Sequence, residues 1–213
     1  QSFSTDGISD GANGVWGAFT SNPDDETPVW SEPVRIADGI MMNKPTVLSD
    51  GTWALPAAVW GGNRVPDHLK AQCGANMVVS TDNGATFAYR GGVAVPERAF
   101  DEHMFVELRD GRIWNLVRTH YGVGQSFSND QGRTWSPGED SKLGGPDSRV
   151  HIRRLKSGNL LLINHDVKEK RRSHLTAFLS DDDGQTWKHK LLLDERDGVS
   201  YPDGCQDAEG MIW

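Results

Sequence analysis

Three kinds of residue in this chain have side chains able to do chemistry. His103, His120, His151 and His165 fall near the ends of predicted strands, with Tyr121 and Arg149 in similar positions. An imidazole there can carry a proton, ligate a metal or line a pocket, although each alone is also a common packing residue of a hairpin. No His-x-x-x-His or Cys-x-x-Cys spacing supports zinc, and the two cysteines, Cys73 and Cys205, exclude a disulfide scaffold. The second kind is aspartate, which recurs in boxes of the form Ser-x-Asp-x-Gly-x-Thr-aromatic. Asp181-Asp-Asp-Gly184 faintly resembles a calcium loop, but no Glu stands at the twelfth position of that loop. The third kind is charge set into apolar strands. Arg118 closes the run Ile113-Trp-Asn-Leu-Val117, an awkward place for a guanidinium without a partner.

The boxes explain the architecture better than they explain catalysis. They occupy residues 80–87, 128–135 and 180–187, and residues 21–30 read as a degraded fourth copy. Asp can accept hydrogen bonds from the N–H groups of its own turn, Gly permits a left-handed corner, and the aromatic residue can pin the turn. A second pattern runs out of phase with the first. Leu48-Ser-Asp-Gly51, Leu108-Arg-Asp-Gly111, Leu155-Lys-Ser-Gly158 and Asp207-Ala-Glu-Gly210 each precede an apolar stretch and read as tight hairpin turns. Two hairpin signals per period of about 50 residues make a four-stranded unit, which is the signature of a β-propeller blade. No segment carries a helical period, so the expectation is an all-β chain forming one domain over residues 1–213.

Composition removes several function classes. The 213 residues carry 22 Lys plus Arg against 30 Asp plus Glu, a formal charge of -8, so no basic stripe is available to neutralise phosphates and nucleic acid is not an expected partner. No apolar run approaches the ~20 residues of a membrane-spanning helix. The 24 Gly, 10 Pro and 8 Trp suit many tight turns packed by large flat side chains.

The repeated boxes resemble the Asp-boxes (BNR repeats) of the sialidase, or neuraminidase, superfamily. The segments between them are similar to that family as well. Glu102-His-Met-Phe-Val-Glu-Leu-Arg-Asp-Gly-Arg-Ile-Trp-Asn-Leu-Val-Arg118 resembles the segment that opens a blade with a catalytic Glu and ends on a substrate-binding Arg. Arg171-Arg-Ser-His-Leu-Thr-Ala-Phe-Leu-Ser180 resembles the segment with a further binding Arg, with Arg172 the better match of the two. Val199-Ser-Tyr-Pro-Asp-Gly204 resembles the segment of the catalytic Tyr. The resemblance implies a six-bladed propeller, here a central portion of about four blades with partial ends. It also implies a retaining exo-glycosidase acting on a terminal acidic sugar without a cofactor. Tyr201 would be the nucleophile, Glu102 its base, and Arg118 and Arg172 the clamps on a substrate carboxylate. A secreted or periplasmic location is a family-level expectation.

That residue set makes chemical sense. Guanidinium forks bind carboxylates bidentately. An anionic nucleophile would be repelled by the substrate carboxylate, whereas a neutral phenol avoids the repulsion and needs a base to take its proton. Tyr-nucleophile sialidases are the recognised exception to the two-carboxylate scheme. His103, His120, Arg149 and His151 are expected to line the pocket, within Thr119-His-Tyr-Gly122 and Asp147-Ser-Arg-Val-His151 or beside Glu102. The family's first-blade Arg-Ile-Pro motif and acid/base Asp have no match; Asp6 and Asp10 can be nominated, but nothing in their setting supports either. Two alternatives stand beside this reading: another glycosidase or polysaccharide lyase on the same propeller, and a non-catalytic glycan- or protein-binding propeller.

Overall fold

The computed structural model describes residues 11–61, 65–167 and 170–213, so Asp6 and Asp10 lie outside the described residues, as do Lys168 and Glu169 of the charged run before Arg172. Every sheet is antiparallel. β1 (Val15–Gly17) pairs with β2 (Val34–Ala37). In the second sheet β3 (Ile40–Met41) and β4 (Thr46–Val47) both pair with β5 (Trp53–Val59), followed by β6 (Gly74–Ser80) and β7 (Ala88–Val93). The third runs in chain order through β8 (Arg98–Glu107), β9 (Ile113–Thr119), β10 (Gly122–Ser128) and β11 (Glu139–Asp140). The fourth holds β12 (His151–Arg154), β13 (Leu160–His165), β14 (Leu175–Ser180) and β15 (Lys188–Asp194). A bridge between Gln206 and Ile212 follows. The predicted blade therefore appears three times in full, with a two-stranded sheet before and a bridged turn after. A short 3-10 turn, Asp67–Gln72, links β5 to β6.

Both turn signals form as their residues dictate. At each of the four first-hairpin turns the glycine sits at positive φ (Gly51 86°, Gly111 84°, Gly158 86°, Gly210 93°) and its N–H bonds the carbonyl three residues back. The boxes join the third and fourth strands of each blade. In the box of β10, the Ser128 hydroxyl donates to Asp130 Oδ1 at 2.8 Å and accepts from the Gly132 N–H at 2.8 Å. Asp130 then accepts from the Thr134 N–H at 2.8 Å and from its hydroxyl at 2.6 Å. The same bonds recur around Asp82 and Asp182. These bonds, led by those from the threonines, hold each box carboxyl down at about 2.

Strand alternation builds the core between blades. Met104 and Val106 of β8 point to one side and join Ile152, Leu160, Leu162 and Phe178 of the fourth sheet. Phe105, between them, points to the other side and joins Leu48, Ala54, Met77 and Val79 of the second. β8 is thus buried on both faces and anchors its neighbours. At the outer margin, β15 exposes Leu191, Leu192 and Leu193.

Candidate active site

Glu102 owes its position to a break in β8. Arg98 pairs with Thr119 and His103 with Val117, so five steps along β8 answer two along β9, and three extra residues arch out of the ladder. Phe100 (φ 60°) and Asp101 (φ 44°) hold this arch in left-handed conformations that side chains rarely adopt. Glu102 sits at its foot, with only 3% of its side chain exposed. Arg118 lies opposite on β9, with 7% of its side chain exposed, and its cation rests 5.0 Å from the centre of the Phe100 ring.

Tyr201 arrives from the loop after β15 and meets this pair. Its hydroxyl donates to Glu102 Oε1 at 2.8 Å. Arg118 Nη1 donates to Glu102 Oε2 at 2.8 Å and to the Tyr201 oxygen at 3.1 Å. Burial and then the adjacent Glu102 carboxylate push the phenol above its ordinary value, so it is neutral at neutral pH. The two carboxylate partners outweigh burial at Arg118 and raise its guanidinium further. The buried cation expected at the end of the apolar strand therefore has its partners.

Tyr201 is itself in an unusual conformation, φ 62°, immediately before Pro202, where extended backbone is the norm. Arg149 holds it there. Its guanidinium donates to the carbonyls of Met42, Tyr201 (2.9 Å) and Pro202 (2.7 Å) and lies 5.3 Å from the centre of the Tyr201 ring. Arg172 approaches the same ring at 5.8 Å and donates to the Asp147 carbonyl at 2.7 Å and to the Ser200 hydroxyl at 3.4 Å. Arg171 points elsewhere, to Asp197 at 3.3 Å, so Arg172 is the arginine of that pair beside the phenol.

Asp147 completes the cluster. Its carboxylate accepts from Arg118 Nε through Oδ1 and faces His120 Nδ1 at 2.9 Å through Oδ2. Partial burial pushes this carboxyl up, and the bonds from Arg118 and His120 outweigh burial and hold it below the usual range. The sequence placed residues 147–151 near the pocket without marking Asp147 as the partner of Arg118. A buried arginine announces that it needs carboxylates, but spacing does not say which loop supplies the second one.

The structure brings together Glu102, Arg118, Tyr201, Arg172 and His120, and it corrects three expectations. His103 does not face the site: its ring is buried between blades, with Nδ1 2.7 Å from the Asp101 carbonyl and Nε2 2.8 Å from the Asn76 carbonyl. Its regular pairing with Val117 puts it on the same face of β8 as Phe105, whose ring it meets edge-on at 5.1 Å. Arg149 lies under Tyr201, but its bonds run to main-chain carbonyls, which makes it a support for the loop and not an open fork. His151 is buried one step away, 3.7 Å from Asp203, which Lys44 pairs at 3.2 Å. A cavity of about 680 Å³ between β4, β8 and β12 is bordered by Lys44 and His151. Glu102, Arg118, Arg172 and Tyr201 do not line it, so the convergence of their side chains is what marks this site.

The fold is an Asp-box β-propeller of the sialidase type, and a tyrosine, a glutamate and arginines gather in it. The chain belongs to the BNR repeat-like domain family, whose profile matches residues 8–213. Among solved structures it is similar to the Hadza microbial sialidase Hz136, with 24% identity and a TM-score of 0.67 over 83% of this chain and 36% of that one. It is similar to the NanB sialidase of Streptococcus pneumoniae, with 18% identity and a TM-score of 0.69 over 92% and 31% of the respective chains. It also resembles the intramolecular trans-sialidase of Ruminococcus gnavus in complex with oseltamivir carboxylate, with 18% identity and a TM-score of 0.67 over 90% and 43%. These likenesses are of fold, and the chain spans well under half the length of each. No curated protein sequence matches it.

Proposed function

We propose that this chain carries the central chemistry of a retaining, sialidase-like exo-glycoside hydrolase acting on a terminal acidic sugar. The observation that supports it most is the three-way contact of a neutral phenol, a buried carboxylate and a buried guanidinium. Tyr201 Oη attacks the anomeric carbon while Glu102 Oε1, 2.8 Å away, takes the phenol proton, and the bond to the aglycone oxygen breaks, that oxygen taking a proton from solvent. Arg118 Nη1, 3.1 Å from the same oxygen, stabilises the charge that develops on it. The sugar is then held covalently on Tyr201; water attacks the anomeric carbon and loses a proton to solvent as the bond to Tyr201 breaks, Glu102 returns its proton to the departing phenol, and the configuration is restored. Arg118 and Arg172 are the clamps for the sugar carboxylate, and Arg149 is a positioning residue for the nucleophile.

An aryl glycoside of N-acetylneuraminic acid tests this reading directly, because its phenolate leaves with little help from an acid. The chain is expected to release the phenol, and Tyr201→Phe to slow release at least about a hundredfold, the scale of losing an activated nucleophile. Unchanged release by Tyr201→Phe would remove the nucleophile from this scheme.

A further inference from the structure

Residue 147 lies between the two guanidinium groups assigned to the substrate. Its carboxylate takes the Nε of Arg118, and its main-chain carbonyl takes Arg172 at 2.7 Å. Arg118 Nη1 is already engaged by Glu102 and Tyr201. An incoming carboxylate therefore meets an Arg118 whose side toward Asp147 holds an anion supplied by the protein. The second partner of that anion is His120, at 2.9 Å and with 62% of its side chain exposed.

Resting on the carboxylate-clamp reading above, we propose that Asp147 is an internal competitor for Arg118, which the substrate carboxylate displaces onto His120. Asp147 is then a specificity-determining residue. It weakens every acidic sugar by the cost of its own displacement, and it favours sugars whose carboxylate engages both arginines at once. The local charge makes the direction clear. Arg118, Arg149 and Arg172 face Glu102 and Asp147, so removing the Asp147 charge leaves the site more positive toward an anion. An asparagine in its place still accepts from Arg118, but a neutral acceptor holds a guanidinium about half as strongly as a charged one.

The test is calorimetric titration of the full chain with N-acetylneuraminic acid and with its methyl ester. Asp147→Asn is expected to bind the acid about tenfold more tightly than the wild type and the ester equally. His120→Ala supplies a second measurement: it weakens acid binding about threefold while Asp147 is present and leaves it unchanged in Asp147→Asn. Equal or weaker acid binding by Asp147→Asn, or no effect of His120→Ala, overturns the inference while the clamp stands. Absence of acid binding in both wild type and Asp147→Asn overturns the clamp, and this inference falls with it.

Discussion

At the scale of single residues, the site depends on a tyrosine, the proposed nucleophile, held in a conformation it would not choose. A positive φ before a proline is disfavoured twice, and Arg149 offsets that cost by bonding the carbonyls on both sides of the Tyr201–Pro202 bond. Replacing Arg149 with Met keeps the bulk of the stem and removes the donors. Turnover of the aryl glycoside should fall about tenfold or more, with KM changing less. Three carbonyls, those of Met42, Tyr201 and Pro202, lose their bonds, which at about 0.5–1.5 kcal/mol each should lower stability, read from chemical denaturation. That Glu102, Arg118, Arg172 and Tyr201 would come together was legible in the sequence, because each stands in a recognisable segment in a fixed order. The support role of Arg149 was not, because nothing local to residue 149 records that a loop 52 residues later needs its donors.

At the scale of elements, what is local in sequence was legible and what is tertiary was not. The boxes and first-hairpin turns each close within eight residues, so their side chains specify them unaided. Gly184 shows how tightly. It sits at φ 84°, and a Cβ there would meet the Trp114 ring at 2.5 Å. Gly184→Ala therefore combines backbone strain with a clash against the core, and should destabilise the fold by more than about 1 kcal/mol. A melting temperature several degrees lower is the expected reading. Gly111, with open space around its Cβ position, should suffer the backbone penalty alone. The arch of β8 is the contrary case. Residues 103–107 pair with β9 in regular register, and nothing local in the sequence marks the arch that precedes them. Only the pairing with β9 and the packing of Phe100 under Arg118 reveal the three extra residues.

At the scale of the whole molecule, buried titratable groups set the response to pH. Burial pushes His103 and His151 down to about 4 from an ordinary 6.5, and it pushes Asp101 up to about 7 from 3.8, with Arg98 opposing. Between pH 6.5 and 4 the unfolded chain takes protons that the folded histidines refuse, so each histidine lowers stability as pH falls through that window. Asp101 acts the other way, because its folded carboxyl protonates first as pH falls from 7. His165 is lowered by burial as well, so three histidines oppose one carboxyl and the fold should weaken from pH 6.5 toward 4, by roughly 3 kcal/mol once Asp101 is set against one histidine. His151→Gln should flatten that slope, measured as urea midpoints at pH 6.5 and 4.5. The outermost strand has a consequence of a different sort. β15 presents three leucines in a row at a sheet margin, the pattern from which chains stack edge to edge into aggregates. Lys188, Lys190 and Asp194 bracket those leucines, and a left-handed His189 beside an irregular register twists the margin away from flatness. These features act as gatekeepers, keeping a sticky sequence from templating copies of itself.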